Sequence, residues 1–230
     1  MKTIGILGGM SWESTLTYYQ AINRGVADAL GGLHSARICL YSVDFAQIEQ
    51  LQQAGDWDAL GVLLADAARA VAAGGAELLL IATNTMHRVA PAVASAVDIP
   101  LLHIADATGE RLLADGRRRV GLLGTRFTME QDFYRGRLAT RHGLEVLVPD
   151  AAGRERVHRI IYEELCRGRI TEASRAAFVD IVEALAGQGA EAVVLGCTEI
   201  GLLLRPQDTA VPLYDTTLIH ADAAVRAALG

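Results

Sequence analysis

Short apolar runs alternate along this chain with longer segments whose apolar residues recur at helical spacing. The runs at 3–7, 37–41, 78–82, 101–103, 119–123, 145–148, 192–196 and 211–214 have the length and character of buried strands. Residues 13–30 predict a helix, with Ser11 as N-cap, Glu13 and Ser14 in the first turn, and Gly31-Gly32 as the stop. Segments 57–73 and 171–187 are rich in Ala and Leu and each ends at glycine, and 128–142 predicts a helix from Thr128 to near Gly143. Strand and helix in alternation predict parallel sheets with crossover helices.

The pattern occurs twice. TIGILG at 3–8 returns as RVGLLG at 119–124, with Ile4, Gly5 and Gly8 matched by Val120, Gly121 and Gly124 at a shift of 116. GAE at 75–77 returns at 189–191, a shift of 114, and each copy runs into an apolar strand. IPLLH at 99–103 resembles VPLYD at 211–215, with Pro100 and Pro212 shifted by 112. The expected fold is α/β, with two pseudo-symmetric Rossmann-like lobes, each built on a parallel sheet. The expected division is 1–98 plus 209–230 for one lobe and 99–208 for the other. Ligands of parallel sheets collect beyond the carboxyl ends of the strands. The active site is therefore expected where equivalent strand-end loops meet, in a cleft between the lobes.

Composition narrows the function classes. Of 230 residues, 51% are hydrophobic and 21% charged, enough for a core and too apolar for extended disorder. The formal charge of -6 argues against a nucleic-acid partner. The one dense basic run, Arg117-Arg118-Arg119, precedes an apolar strand and reads as the solvated start of it. Three cysteines, at 39, 166 and 197, make no disulfide framework and suit a reducing compartment. With no signal-like segment and no run near the roughly 20 apolar residues of a membrane span, the expectation is a cytoplasmic protein with no membrane partner.

The strand ends carry the candidate chemistry. Thr83-Asn84-Thr85 follows the strand at 78–82, and Cys197-Thr198 follows the strand at 192–196, so Thr83 and Cys197 are equivalent positions, 114 apart. A helix N-terminus after each strand would lower a thiol's pKa and welcome a carboxylate. The other reading of Cys197 is a small buried residue that only packs. Gly8-Gly9-Met10-Ser11 and Gly124-Thr125-Arg126-Phe127-Thr128 form a second pair of strand-end turns. Their spacing, G-x-x-G-G in the first, does not match the dinucleotide fingerprint. The six histidines show no metal-type spacing, so no metal is expected, and most of them read as surface residues or loop supports. Cys39 reads as core and Cys166 as structural.

IGILGGM, ATNTMH, LLGTRFTM and GAEAVVLGCTEI, spread over the whole chain, resemble the Asp/Glu/hydantoin racemase superfamily. GGMSWEST, TNTMH and GTRFTMEQDFYRGRL are similar to its enterobacterial branch of L-specific, broad-specificity racemases of aspartate and glutamate. The resemblance implies an isomerase acting on a small amino acid, without pyridoxal phosphate or other cofactor, and often a homodimer. Cys197 and Thr83 are then the catalytic pair, taking and returning the α-proton from opposite faces. Met10, Gln52, Asn84, Thr85, Thr125, Thr128 and Thr198 are the implied substrate-binding residues. Most family members carry cysteine where this chain has Thr83, which implies an enzyme that handles the L enantiomer faster. The arginine and lysine that hold a side-chain carboxylate in many aspartate racemases are absent: the first region reads SVDFAQIEQLQQAG, and Cys166 stands about where the lysine aligns, beside Arg167. Homoserine thus joins aspartate and glutamate as an expected substrate. A single-cysteine decarboxylase or isomerase of the same superfamily, and a non-catalytic amino-acid-binding protein, are the competing readings.

Overall fold

The computed structural model describes all 230 residues. In chain order the first part runs β1 (Ile4–Gly8), α1 (Trp12–Leu30), β2 (Ile38–Ser42), α2 (Phe45–Ala54), α3 (Trp57–Ala73), β3 (Leu78–Ile81), α4 (Ala90–Ser95) and β4 (Leu101–Leu102). There follow α5 (Ile104–Ala114), β5 (Arg119–Gly124), α6 (Arg126–Glu130), α7 (Arg135–His142), β6 (Glu145–Leu147) and α8 (Ala151–Glu163). The chain ends with α9 (Glu172–Gly187), β7 (Ala192–Gly196), α10 (Ile200–Leu203), β8 (Leu213–Asp215) and α11 (Thr216–Leu229). No helix is long and apolar enough to cross a membrane.

The chain folds as two compact units, Met1–Ile104 with Thr217–Gly230, and Ala105–Thr216. Each holds a four-stranded, all-parallel sheet, ordered β2-β1-β3-β4 and β6-β5-β7-β8. The boundaries expected from sequence, 98/99 and 208/209, need correction. The last strand of each half pairs within its own half: Leu79 with Leu101, and Val193 with Leu213.

The repeated sequence blocks have a common physical cause. In the first unit the Glu77 carboxylate accepts the Thr3 amide at 2.7 Å, and in the second the Glu191 carboxylate accepts the Arg118 amide at 2.7 Å. Each repeated GAE thus holds the start of the neighbouring strand. Its glycine turns the chain at positive φ, +89° at Gly75 and +97° at Gly189, where a side chain would be strained. The repeated prolines present carbonyls to the central strands, Pro100 to Leu79 and Pro212 to Val193, both at 2.9 Å.

In the first unit the strands alternate between two apolar faces. Ile4, Ile6, Leu78 and Leu80 pack with Tyr18, Ile22 and Val26 of α1 and Ala221, Ala224 and Val225 of α11. Leu7, Leu79 and Ile81 face Leu60, Leu64 and Val71 of α3. Each such side chain contributes about 1.5–3 kcal/mol by leaving water. In the second unit Leu123, Val193 and Leu195 pack against Val157 and Ile160 of α8 and Phe178 and Val182 of α9.

Helix α1 starts where the sequence places it, with the Ser11 side chain accepting the Ser14 amide, and it stops at Gly31. The helix expected over 128–142 is instead two. Thr125 caps α6, and the chain turns out of helix at Gln131 (ψ 151°) before α7 begins at Arg135. The break is held by tertiary contacts. Tyr134 is fully buried there, and α7 sends Arg137 in a two-pronged pair onto Asp106 of α5, both bonds 2.7 Å.

Candidate active site

The strand orders place the candidate residues. In each sheet the chain steps outward in opposite directions from the central pair, β1/β3 in one and β5/β7 in the other. That reversal is the topological switch point, where ligands of open parallel sheets bind. The loops that leave its carboxyl ends carry Met10 and Thr83-Asn84-Thr85 in the first unit, and Thr125, Thr128 and Cys197-Thr198 in the second.

In the first unit Thr83 is part-buried, while Met10, Gln52, Asn84 and Thr85 are buried. Gln52 comes from α2, which follows the adjacent strand β2. A 3-10 turn over Thr85–Val89, and not an α-helix, follows Thr83. The loop is anchored by His87, whose Nδ1–H donates to the Thr83 carbonyl at 2.8 Å. Its Nε2 accepts the Ile104 amide at 3.2 Å, which fixes the tautomer. His220 continues the arrangement: the Tyr18 hydroxyl donates to its Nδ1 at 2.8 Å, and its Nε2–H donates to the Leu102 carbonyl at 2.9 Å. Burial holds both rings neutral, His220 at a pKa of about 4 and His87 well below 6.5, the latter helped by His103 and His220. Of the six histidines only His34 is exposed, and His87 supports the loop after β3, as its place near a strand end suggested.

In the second unit Thr125 and Thr128 close the turn after β5, their hydroxyls 3.2 Å apart, and both are buried. Neither Gly124 nor Gly196 leaves room for a Cβ, which would lie 2.8 Å from a backbone carbonyl oxygen at each position, that of Gly196 and that of Leu123 respectively. The two strand ends therefore lie close together, beside Thr128. Cys197 is buried, and its thiol donates to Glu199 Oε2 at 3.0 Å. The Thr198 hydroxyl donates to the same oxygen at 2.7 Å. The expected lowering of the Cys197 pKa is overturned. Burial first, and then the Glu199 carboxylate, push the thiol well above its ordinary value. The helix meant to lower it, α10, has four residues and starts only at Ile200.

Sequence reasoning missed Glu199, although the acid two residues beyond the cysteine in CTE was visible. Arg167, which stands beside the expected lysine position, is exposed, and Cys166 packs against the second unit's core.

Comparisons with known proteins identify the family. The family model described as Asp/Glu/Hydantoin racemase matches residues 7–224. A crystal structure of a candidate Asp/Glu racemase from Yersinia pestis is 55% identical, covers 100% of both chains and superposes with a TM-score of 0.94. An aspartate racemase homologue from Pyrococcus horikoshii is 36% identical over 100% of both chains, with a TM-score of 0.87. The aspartate racemase of Picrophilus torridus shares the fold at 20% identity, with 99% and 94% coverage and a TM-score of 0.76. The chain belongs to the Asp/Glu/hydantoin racemase family, and the family makes it an isomerase of the amino-acid racemase type.

Proposed function

We propose that this protein racemises amino acids of the aspartate and glutamate type without pyridoxal phosphate, Cys197 serving one face of the α-carbon and Thr83 the other. The observation that carries the reading is the duplication. A thiol and a hydroxyl occupy equivalent places beyond β7 and β3, each at the switch point of its own sheet. An α-proton is a very weak acid, so one group must remove it from one side while another supplies a proton from the opposite side. The carboxylate gains enolate character during transfer and needs donors. Asn84, Thr85, Thr125, Thr128 and Thr198 supply them around the same strand ends.

Independence from pyridoxal phosphate has support in the chain itself. That cofactor is held as a Schiff base on lysine. The only lysine is Lys2, exposed and ahead of β1, at the end of the sheet away from these loops. Breadth of substrate follows from Gln52, a buried neutral amide in a region without lysine or arginine between Ser42 and Ala54. Such a group accepts a side-chain hydroxyl as readily as a carboxylate, so homoserine joins aspartate and glutamate. Three free cysteines suit the reducing cytoplasm, and the resemblance adds a homodimer.

An alcohol is a poorer base than a thiolate, so the two faces are unequal. In deuterated water the α-proton of the L enantiomer should exchange at least about tenfold faster than that of the D enantiomer. Cys197→Ser should abolish the fast exchange, and Thr83→Cys should raise exchange of the D form. Equal rates from both enantiomers in the unaltered protein, or fast exchange surviving Cys197→Ser, would overturn the assignment.

A further inference from the structure

Glu199 is a carboxylate in a costly place. The residue is 4% exposed, and an ionised carboxyl there needs donors to hold it. Thr198 Oγ1 and the Cys197 thiol both donate to Oε2, at 2.7 and 3.0 Å. The second bond joins the acid directly to the sulfur that the proposed reaction uses as its base. Ionising Cys197 by releasing its proton to solvent would leave two negative charges 3.0 Å apart in a buried setting. Moving the proton from Sγ to Oε2 avoids this. One S–H bond breaks, one O–H bond forms, and the pair carries a single negative charge before and after.

We infer that Cys197 and Glu199 are a proton-sharing pair, in which Glu199 takes the thiol proton and so gives the thiolate without adding a buried charge. This rests on the reading of Cys197 as the α-proton base. Glu199 acts through the sulfur and is a positioning residue. The thiolate it leaves takes the α-proton of an L substrate, and the reverse transfer restores the pair. The other titratable group acting on Cys197 is Cys166, on the turn Leu165–Arg167. The Thr198 hydroxyl donates to the carboxylate, and Cys197 packs in an apolar cluster with Leu123, Met129, Ile160 and Leu195.

The test is the pH profile of iodoacetamide labelling at Cys197, read on that peptide by mass spectrometry in the full chain. Internal transfer fixes the thiolate fraction, so labelling of the unaltered protein should change less than about threefold between about pH 6 and pH 8. Glu199→Gln, which keeps the shape and removes the proton acceptor, should restore a rise of about tenfold per pH unit. A tenfold-per-unit rise in the unaltered protein overturns the pair, whether or not the variant folds. The α-proton exchange assay reads the other level. A flat labelling profile with no exchange from any amino acid keeps the pair and removes the racemase reading. A steep profile with fast exchange does the opposite.

Discussion

Acid should unfold the first unit through histidines that fold as neutral rings. His220 is fully buried, with one ring nitrogen accepting from Tyr18 and the other donating to Leu102. Burial takes its pKa from 6.5 to about 4. In the unfolded chain the same ring titrates near its ordinary value. Above pH 6.5 the stability tied to the neutral ring is fully present. As pH falls from 6.5 towards 4 the unfolded chain binds a proton that the folded chain refuses, and that stability is lost. At about 1.36 kcal/mol per pH unit of separation, going from about pH 7 to about pH 5 costs about 2 kcal/mol from His220 alone. His87 is lowered too, mainly by burial, and adds to the loss with the same sign. Urea unfolding at the two pH values, followed by circular dichroism, measures the difference. His220→Gln keeps a donor and an acceptor but cannot titrate, so its loss between the two pH values should be smaller by about 2 kcal/mol. A variant whose pH dependence matches that of the unaltered protein would refute the argument. On the proposed role of Thr83, activity should follow stability here, because His87 holds the carbonyl of Thr83.

Two further substitutions test the packing. A Cβ at Gly121 would lie 2.9 Å from Leu185 Cδ1 and 3.0 Å from Val193 Cγ2, and at its repeat mate Gly5 only 2.5 Å from Val71 Cγ1. Gly121→Ala and Gly5→Ala should each cost about 1–3 kcal/mol by overpacking, with Gly5 the larger, and an unchanged thermal melt for either would contradict the close helix-to-strand fit. Phe178 is fully buried between α9 and the second sheet, so Phe178→Ala should cost about 3–5 kcal/mol in urea unfolding; a loss below about 1 kcal/mol would mean that the site collapses around the cavity.

What was legible in the sequence was local or repeated. Ser11 and Gly31-Gly32 mark α1 because capping and stopping are settled within one turn of chain. The repeat exposed the second sheet because Glu77 and Glu191, and Pro100 and Pro212, make the same backbone bonds in each half. What was missed depends on distant partners. Helical periodicity runs on through 131–134, but burial of Tyr134 and the reach of Arg137 to Asp106 stop the helix there. The pairing of β4 with β3 and of β8 with β7 moves the division of the chain, and neither strand's own residues announce it. His87 and His220 are distant in sequence, yet their rings lie 5.8 Å apart in one unit.

Cys197 shows how magnitude decides between two readings of one local pattern. A strand-to-helix turn suggests a thiol made acidic by the helix end, an effect of about 0.3–1 kcal/mol that fades within a turn. The structure sets against it a helix of four residues that begins at Ile200, a buried sulfur, and a carboxylate oxygen 3.0 Å away. At an effective dielectric of about 20, two unit charges at that distance repel by about 5 kcal/mol. The thiol is therefore protonated at rest, and the sulfur becomes a base only if its proton has somewhere close to go. Glu199 Oε2 is a hydrogen-bonded acceptor on the same loop. On the proposed pairing, the carboxylate that adds to burial in raising the thiol's pKa is also the group that takes its proton, because relocating a buried charge costs less than creating a second one.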